Sequence, residues 1–226
     1  MALEHYYKVL GLHNWQLKIP RVTRLEDPQV ELPTWEHLEN QVAQCTACSL
    51  HKTRTQTVFG VGNKQAKLMI IGEAPGYYED QQGEPFVGRA GQLLTAMLKS
   101  IGFDRHQVYI ANILKSRPPN NRDPLPEEVA MCTPYLDQQI ALVKPHLLLA
   151  VGRIAAHHLL KTTASLVSLR NTIHHYAPHS IPLIVTYHPA YLLRNPIDKK
   201  KAFMDLTFIK KTLEEVSTNG RVSPST

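Results

Sequence analysis

The chain has 226 residues, of which 43% are hydrophobic and 19% are charged. This composition excludes a disordered or fibrous protein, and no apolar run approaches the roughly 18 residues of a membrane-spanning helix. The length suits one α/β domain with a short appendage, and the net charge of +6 suits an anionic partner without identifying it. The N-terminus lacks the basic and apolar segments of a secretory signal, which favours the cytoplasm.

Sequence pattern divides the chain into three parts. Residues 1–33 hold a short apolar patch followed by a proline-interrupted stretch, and we expect an N-terminal appendage or linker. Residues 34–216 show regular helix and strand patterns and form the predicted domain. Residues 217–226 carry little apolar content, which predicts a disordered tail.

Helical and strand patterns alternate from residue 34 onward. Thr34 can cap a helix in which Trp35, Leu38 and Val42 share one face. Short, almost wholly apolar strands alternating with helices are typical of a parallel sheet that is covered on both faces. We therefore predict an α/β fold, a three-layer α/β/α sandwich with a central parallel sheet of about four strands. The predicted strands are 67–71, 108–114, 146–151 and 181–187, and the later helices are 90–101, 126–143, 153–160 and 198–216.

Three unusual loops follow three of these strands. They read GEAPGYYEDQQGEPFVG from Gly72, KSRPPNNRDP from Lys115 and HPAYLLR from His188. Ligands of open parallel sheets bind at the carboxyl ends of the strands. We therefore expect a binding site where the three loops meet.

Several residues near these loops have the chemistry of a small-ligand site. Backbone N–H groups around Gly72 and Glu73 can hold an anion beside a helix start. Asn112 lies in an apolar run, where a buried amide must find hydrogen-bond partners. His188 can donate to an oxygen that gains negative charge. Taken singly, each of them is equally compatible with an ordinary structural role.

The same motifs together resemble a known family. GEAPG, the following ED, GEPFVGRAGQLL, NILKSRPPNNR, CTPYLDQQ and HPAYLLR occur in order and at suitable spacing from about Cys45 to Lys211. In this they are similar to the family-four uracil-DNA glycosylases. The resemblance implies an α/β/α sandwich and hydrolysis of the bond that joins uracil to deoxyribose, after the base has been flipped out of the DNA stack.

The resemblance also assigns roles inside the pocket. Phe86 would stack on the flipped uracil, and His188 would donate to uracil O2. Asn112 would read the N3–H and O4 edge, which its acceptor and donor pair complement, whereas cytosine presents the reverse pattern. Glu79 would guard the C5 edge, where a thymine methyl group would clash. Gly72 and its neighbours would complete the uracil pocket through backbone groups.

The group that activates water stays open on sequence grounds. Related families carry an aspartate two positions beyond the match to Gly72, where this chain has Ala74. Glu73 is the candidate for orienting the water, with a structural or electrostatic role as the alternative. Asn121 matches a polar position that the family uses near the reaction centre. The residues expected to contact DNA phosphates are Arg89, Lys115, Arg117, Arg122 and Arg194.

The three cysteines are an odd number in a chain without an export signal, which argues against disulfide bonds. Cys45, Cys48 and Cys132 match three of the four ligands by which the family holds a [4Fe–4S] cluster. The fourth position is Ser116, in KSRPP where the family has KCRPP. The alternatives are a cluster with Ser116 or solvent at the fourth corner, a three-iron form, and no cluster. Zinc held by the thiolates and His51 is a further alternative.

Two functions remain in competition at this point. We expect a monofunctional uracil-DNA glycosylase of base excision repair, acting as a monomer on uracil-containing DNA without membrane contact. The alternative is a catalytically weak or trapping module that binds uracil-containing or single-stranded DNA. Trapping relatives carry a longer basic insert where this chain has the short RPPNNRDPLP loop, which favours hydrolysis. Residues 16–19, QLKI, faintly resemble a sliding-clamp-binding peptide.

Overall fold

The computed structural model describes residues 34–219, which contain one six-stranded sheet with the order β1-β3-β2-β4-β6-β5. Strands β3, β2, β4 and β6 run parallel, and the two outer strands are antiparallel to their neighbours. The predicted parallel sheet of about four strands is thus confirmed as the inner part of the sheet. The strands are β1 (Val61–Gly62), β2 (Leu68–Gly72), β3 (Tyr109–Asn112), β4 (Leu147–Val151), β5 (His174–Tyr176) and β6 (Ile181–Thr186).

The two outer strands were missed by the sequence patterns. Strand β1 has two residues and β5 has three, so neither is long enough to show an alternating pattern. Strand β5 reads HHY, and its histidines gave no apolar signal. Their short length also limits the unpaired edge that the sheet presents to solvent.

Helices cover both faces of the sheet, which confirms the three-layer arrangement. One core cluster joins the sheet to α4 and α5 through residues such as Leu136 and Ala155. The other joins the opposite face to α3 and α8 through residues such as Leu94 and Leu206. The helices are α1 (Trp35–Ala43), α2 (Tyr77–Gln82), α3 (Arg89–Ser100), α4 (Pro126–Val143), α5 (Arg153–Leu160), α6 (Leu166–Leu169), α7 (Pro189–Arg194) and α8 (Lys199–Asn219).

The ends of the helical regions follow from local sequence. Thr34 caps α1 as expected, because its hydroxyl accepts a hydrogen bond from the His37 N–H at 3.2 Å. Helix α8 continues to Asn219, three residues past the predicted boundary at 216, since no helix breaker precedes Gly220. The predicted appendage 1–33 and the rest of the predicted tail lie outside the described residues. No helix within residues 34–219 has the length and apolar character needed to cross a membrane.

The register of the sheet sets the position of the site. Gly72 at the end of β2 pairs with Asn112 at the end of β3, so the two strands stop at the same level. All residues of β2, β3 and β4 are buried. The loops that leave these carboxyl ends therefore start from a rigid, fully packed layer.

Candidate active site

A cavity of about 440 Å³ opens where the three predicted loops meet. Five of the residues that line it were not predicted as site residues, although they lie close in sequence to predicted ones: Pro75, Ala90, Pro118, Ala190 and Tyr191. The cavity brings together most of the predicted site residues, namely Glu73, Glu79, Phe86, Asn112, Asn121, Arg122, His188 and Arg194.

Gly72 shapes this cavity from behind. A Cβ atom at this position would lie 2.4 Å from Asn112 Oδ1 and 2.6 Å from Phe86 Cζ, closer than real Cβ contacts come. Its carbonyl oxygen accepts a hydrogen bond from the Ile113 N–H at 3.0 Å, one residue past the end of β3. Gly72 therefore makes room for two site side chains. Its expected part in completing the uracil pocket through backbone groups stays a prediction.

Phe86 is held in place by contacts outside the cavity. Its φ angle of 55° is left-handed, which is uncommon for a residue with a large side chain. A Cβ atom at Gly91 would lie 1.7 Å from the Phe86 carbonyl oxygen, so only glycine lets α3 pass this closely. Arg105 donates to the carbonyl oxygen of Pro85 on the other side. The Phe86 ring is buried, and its centroid lies 5.7 Å from that of His188 with the planes 31° apart.

Asn112 is a buried polar residue with an unused acceptor. Its side chain is 2% exposed, and among the described residues Oδ1 has no hydrogen-bond partner. Leaving a buried acceptor unpaired costs about 1–3 kcal/mol. Because Asn112 lines the cavity, a ligand there with an N–H group can supply the missing donor.

His188 is fixed as a neutral donor by its place at the start of α7. Its Nδ1 accepts the Ala190 N–H at 3.1 Å, so the ring proton is on Nε2. Burial lowers the pKa of His188 to about 4, and the charge of Arg194 adds to this effect. At neutral pH the imidazole therefore offers an Nε2–H donor to a ligand and carries no charge.

Glu73 has a carboxyl group that titrates near neutral pH. Burial and, to a smaller extent, the negative charge of Asp123 raise its pKa to about 7 against the opposing positive charge of Arg153. Arg153 and Asp123 form an exposed ion pair of 3.5 Å beside it. A carboxylate with this pKa can take a proton from a water molecule near pH 7.

Glu79 ties the loop after β2 into its shape. Its carboxylate accepts hydrogen bonds from Gly76 N at 3.1 Å, from Val87 N at 3.0 Å and from Gly88 N at 3.1 Å. These charge-assisted bonds join the two ends of the loop. Glu79 also lines the cavity, so its role at the uracil C5 edge stays a prediction beside this structural one.

Asn121 is oriented by Arg117. Both Asn120 and Asn121 have left-handed backbone angles, with φ of 55° and 53°, which asparagine tolerates better than most residues. Asn121 Oδ1 accepts a hydrogen bond from Arg117 Nε at 2.7 Å. The amide nitrogen of Asn121 is therefore the polar end that a ligand in the cavity would meet.

The arginines expected to contact DNA differ in their surroundings. Arg89 at the start of α3 and Arg194 at the end of α7 are exposed, and Arg194 lines the cavity. Arg122 donates two hydrogen bonds, of 2.6 and 2.9 Å, to the buried carboxylate of Glu128. Glu128 also accepts from the Leu125 N–H at 2.9 Å, so Arg122 holds the loop after β3 against α4.

The prediction that Lys115 contacts DNA is wrong. Its side chain is 2% exposed, and Nζ donates to Asn112 O at 2.7 Å and to Gln139 Oε1 at 2.6 Å. Burial lowers the pKa of Lys115 to about 7, although nearby Cys132 works against this. The polar stretch KSRPP gave no sign of burial, since the partner Gln139 lies on a distant helix.

The cysteine region comprises Cys45, Cys48, Cys132 and Ser116, and Ser116 belongs to the loop after β3. Burial raises the pKa of the Cys132 thiol, and the proximity of Cys48 and Cys45 adds to the rise, so the three sulfurs lie within electrostatic reach. Ser116 is buried, and its Oγ accepts a hydrogen bond from Arg54 Nη1 at 3.0 Å. Arg54 Nη2 donates to the Cys45 carbonyl oxygen at 2.8 Å.

This region offers three thiols, the usual donors to an iron–sulfur cluster, and the Ser116 hydroxyl in place of a fourth. Thiolates are the usual ligands of such clusters, whereas the Ser116 hydroxyl is bonded to a cation. Within residues 34–219 no three His, Cys, Asp or Glu side chains are grouped to bind a single metal ion. The zinc alternative finds no support, and His51 Nδ1 instead lies 2.7 Å from the Cys48 carbonyl oxygen.

Comparison with known proteins agrees with this geometry. The family model "Uracil DNA glycosylase superfamily" matches residues 59–210. A type-4 uracil-DNA glycosylase of Archaeoglobus fulgidus is 45% identical over 167 residues, which cover 71% of this chain and 84% of the relative. One from Thermotoga maritima is 44% identical over 162 residues, covering 71% and 83%, and one from Saccharolobus solfataricus is 40% identical over 183 residues, covering 78% and 85%. The chain therefore belongs to the uracil-DNA glycosylase superfamily and, within it, to the type-4 uracil-DNA glycosylases, which confirms the family indicated by the motifs.

Proposed function

We propose that the protein everts uracil from DNA and hydrolyses its N-glycosidic bond, leaving an abasic site for base excision repair. The observation that carries this proposal is the buried Asn112 acceptor, which has no partner within residues 34–219 and lies in a cavity that also holds an aromatic ring and a neutral imidazole donor. Uracil is a flat base with an N–H donor between two carbonyl oxygens, and this matches the three features together.

Base selection begins at Asn112. In this proposal Oδ1 accepts the uracil N3–H and the amide nitrogen donates to O4. Cytosine has an acceptor at N3 and a donor at C4, so both contacts would become repulsive and two buried groups would lose their partners. Discrimination of this kind can reach about 10⁴-fold. The Phe86 ring provides the apolar surface for the base, and Glu79 stands at the edge that a thymine methyl group would need.

Bond cleavage places negative charge on the departing base. The C1′–N1 bond breaks, its electron pair passes to the uracil ring, and charge collects on O2, while the sugar becomes positive. The Nε2–H of His188 then donates to O2. A donor that is already in position for such an oxyanion contributes about 10²- to 10³-fold in rate. The depressed pKa of His188 fits this role, because a neutral imidazole stays a donor without transferring its proton.

Water completes the reaction at the sugar. We assign Glu73 to orient this water and to accept its proton as the new bond from oxygen to C1′ forms. Asn121 also lines the cavity, and its amide nitrogen can donate to the substrate. The negative charge of ionised Glu73 also stabilises the positive sugar. Glu73 can therefore have the electrostatic role as well as the role of orienting the water.

The DNA strand would approach over the exposed arginines at the cavity rim. We assign phosphate contacts to Arg89 and Arg194, and to Arg117 in addition to its bond with Asn121. Such contacts make affinity fall with salt concentration without adding base specificity. Action as a monomer in the cytoplasm stays a prediction, and the sliding-clamp peptide at 16–19 lies outside the described residues.

We also propose an iron–sulfur cluster on Cys45, Cys48 and Cys132, with Ser116 at the fourth corner. Bound there, a cluster would supply a structural cross-link and take no part in base removal. It would join the end of α1, the loop after β3 and α4, in which Cys132 lies. Arg54 already connects two of these segments through its hydrogen bonds to Ser116 and Cys45.

The enzymatic function is tested by incubating the protein with a labelled single-stranded oligonucleotide that contains uracil. Release of free uracil is measured, and alkaline cleavage then detects the abasic site. We expect release by the wild type and by Asn40→Ala, which changes an exposed amide on α1. Asn112→Ala and His188→Ala should each lower the rate by at least about 10²-fold. Binding of the oligonucleotide by the wild type without any uracil release would instead support the binding-module alternative.

A further inference from the structure

Two exposed tyrosines lie next to residues that line the cavity, without lining it themselves. Tyr77 and Tyr78 directly follow the cavity residue Gly76 and begin helix α2. Their side chains are 52% and 57% exposed. The rings meet edge to face, with centroids 5.4 Å apart and planes at 81°. Burial in the core therefore does not account for this pair of large aromatic side chains.

Arg117 connects Tyr77 to the loop after β3. Its guanidinium lies over the Tyr77 ring, 5.1 Å from the centroid, while its Nε holds Asn121 Oδ1. Pro118 and Asn121, the neighbours of Arg117 in this loop, line the cavity. The Tyr77 ring and the Arg117 guanidinium thus form a continuous surface from the loop after β2 to the loop after β3.

Such a surface suits the bases of a DNA strand. Every base has a π-face, and stacking on an exposed aromatic side chain is worth about 1–3 kcal/mol per base. A planar guanidinium adds attraction to the ring and to nearby phosphates. When a uracil enters the cavity, the next base of the same strand is brought to the cavity mouth.

We propose that Tyr77 and Tyr78, with Arg117 beside them, form a stacking platform for the base that adjoins the everted uracil. This inference rests on the proposed function, because it needs the cavity to hold a base of DNA. A flanking base in a duplex is already paired and stacked, whereas in a single strand it is available. The platform therefore favours uracil in single-stranded or locally opened DNA.

Binding of a strand that resists cleavage tests the platform apart from turnover. The probe is a fluorescent single-stranded oligonucleotide with one 2′-fluoro-2′-deoxyuridine, whose fluorine destabilises the positive sugar and slows hydrolysis. A second version carries abasic nucleotides on both sides of that uracil. Fluorescence anisotropy gives the Kd of both strands for the wild type, Tyr77→Ala, Tyr78→Ala and Tyr77→Phe. The matched control is Phe203→Ala, on α8, which removes an aromatic side chain that is also 52% exposed.

Tyr77→Ala and Tyr78→Ala should weaken binding of the first strand by about 5- to 100-fold. Tyr77→Phe and Phe203→Ala should bind like the wild type. Loss of the flanking bases should weaken wild-type binding by a similar factor and weaken neither alanine variant further. Unchanged Kd values in both alanine variants would overturn the platform. It would also be overturned if the alanine substitutions weakened binding of the strand with abasic flanks as much as they weaken binding of the first strand.

The proposed function can fail separately from this inference. If the wild type releases no uracil from a cleavable strand, the glycosylase proposal fails, while the Kd comparison still decides whether flanking bases stack on the tyrosines. If uracil is released and the Kd values of the variants match the wild type, only the platform is lost.

Discussion

The end of strand β3 and the loop after it contribute residues to both the cavity and the cysteine region. The buried polar groups of the two regions differ in one respect. Asn112 Oδ1, at the cavity wall, has no partner among the described residues. Lys115 is equally buried, but its Nζ donates to Asn112 O and Gln139 Oε1. The next residue, Ser116, accepts from Arg54. Buried polar groups are nearly always bonded, and among the described residues Asn112 Oδ1 and Arg105 Nη1 are the exceptions. Of these two, Asn112 is the one that lines the cavity, which indicates a group kept for a ligand.

The largest expected effect is a fall in the reaction rate when the His188 donor is removed from the cavity. His188→Ala should lower kcat by about 10²- to 10³-fold, because the developing charge on uracil O2 loses its donor. Loss of the cap of α7 should cost only about 1 kcal/mol of stability. Single-turnover uracil release and thermal unfolding measure the two effects. His37→Ala, on the exposed side of α1, is the control and should match the wild type in both measurements.

The second-largest expected effect is the loss of rate caused by adding one methyl group behind the cavity. Gly72→Ala places a Cβ atom against Asn112 Oδ1 and Phe86, so both side chains must shift. Misplacement of about 1 Å can cost about 10²-fold in rate, and crowding in the core costs about 1–3 kcal/mol. Uracil release and denaturant unfolding check this. Gly102→Ala adds the same methyl group at a position where no atom of the described residues, its chain neighbours aside, lies within 4 Å, so it should keep the wild-type rate, although its φ of 87° makes the substitution strained.

The pH dependence of the rate should report Glu73. If its carboxylate assists the water, the single-turnover rate should increase as pH rises through about 7, because ionisation supplies the active form. His188, with a pKa of about 4, stays neutral throughout this range. Glu73→Gln should be slower and flat from pH 6 to 8, a range of about one unit on each side of the Glu73 pKa. An unchanged pH profile in that variant would remove Glu73 from the step.

Stability should depend on pH through Lys115. Its pKa is about 7 in the folded state and 10.5 when unfolded, so between these values the unfolded chain binds more protons. The free energy of unfolding should therefore rise with pH from 7.5 to 9, by about 1 kcal/mol per pH unit from this residue. Lys115→Met should reduce that slope in urea titrations. The same slope in wild type and variant would mean that Lys115 titrates normally in the folded protein.

The smallest effect concerns the cysteine region. Ser116→Cys restores a fourth thiol and should raise both the ratio of iron to protein after anaerobic purification and the unfolding temperature. An unchanged iron ratio in that variant would argue against a cluster at this place. Cys132→Ser provides the control, and it should lower the iron content of both backgrounds.

Sequence patterns located most of the fold because its inner strands are unbroken apolar runs and its main helices have an apolar face. Trp35, Leu38 and Val42 showed helical spacing, and each of the four parallel strands lies in an apolar run, whereas the two-residue β1 is too short to show either pattern. Motif resemblance placed Phe86, Asn112 and His188, and the structure brings all three to one cavity. Local sequence could not show that Lys115 is buried, because its partner Gln139 is distant in the chain. Nor could it show that Asp123 raises the pKa of Glu73 through space.

The most direct test of the central claim compares activity and stability in Asn112→Leu. If Asn112 is kept for the ligand, uracil release should fall by at least about 10²-fold. The unfolding temperature should stay equal to that of the wild type or rise, because an unpaired buried acceptor has been removed. A marked fall in unfolding temperature with uracil release largely retained would show that Asn112 supports the fold, and would contradict the account.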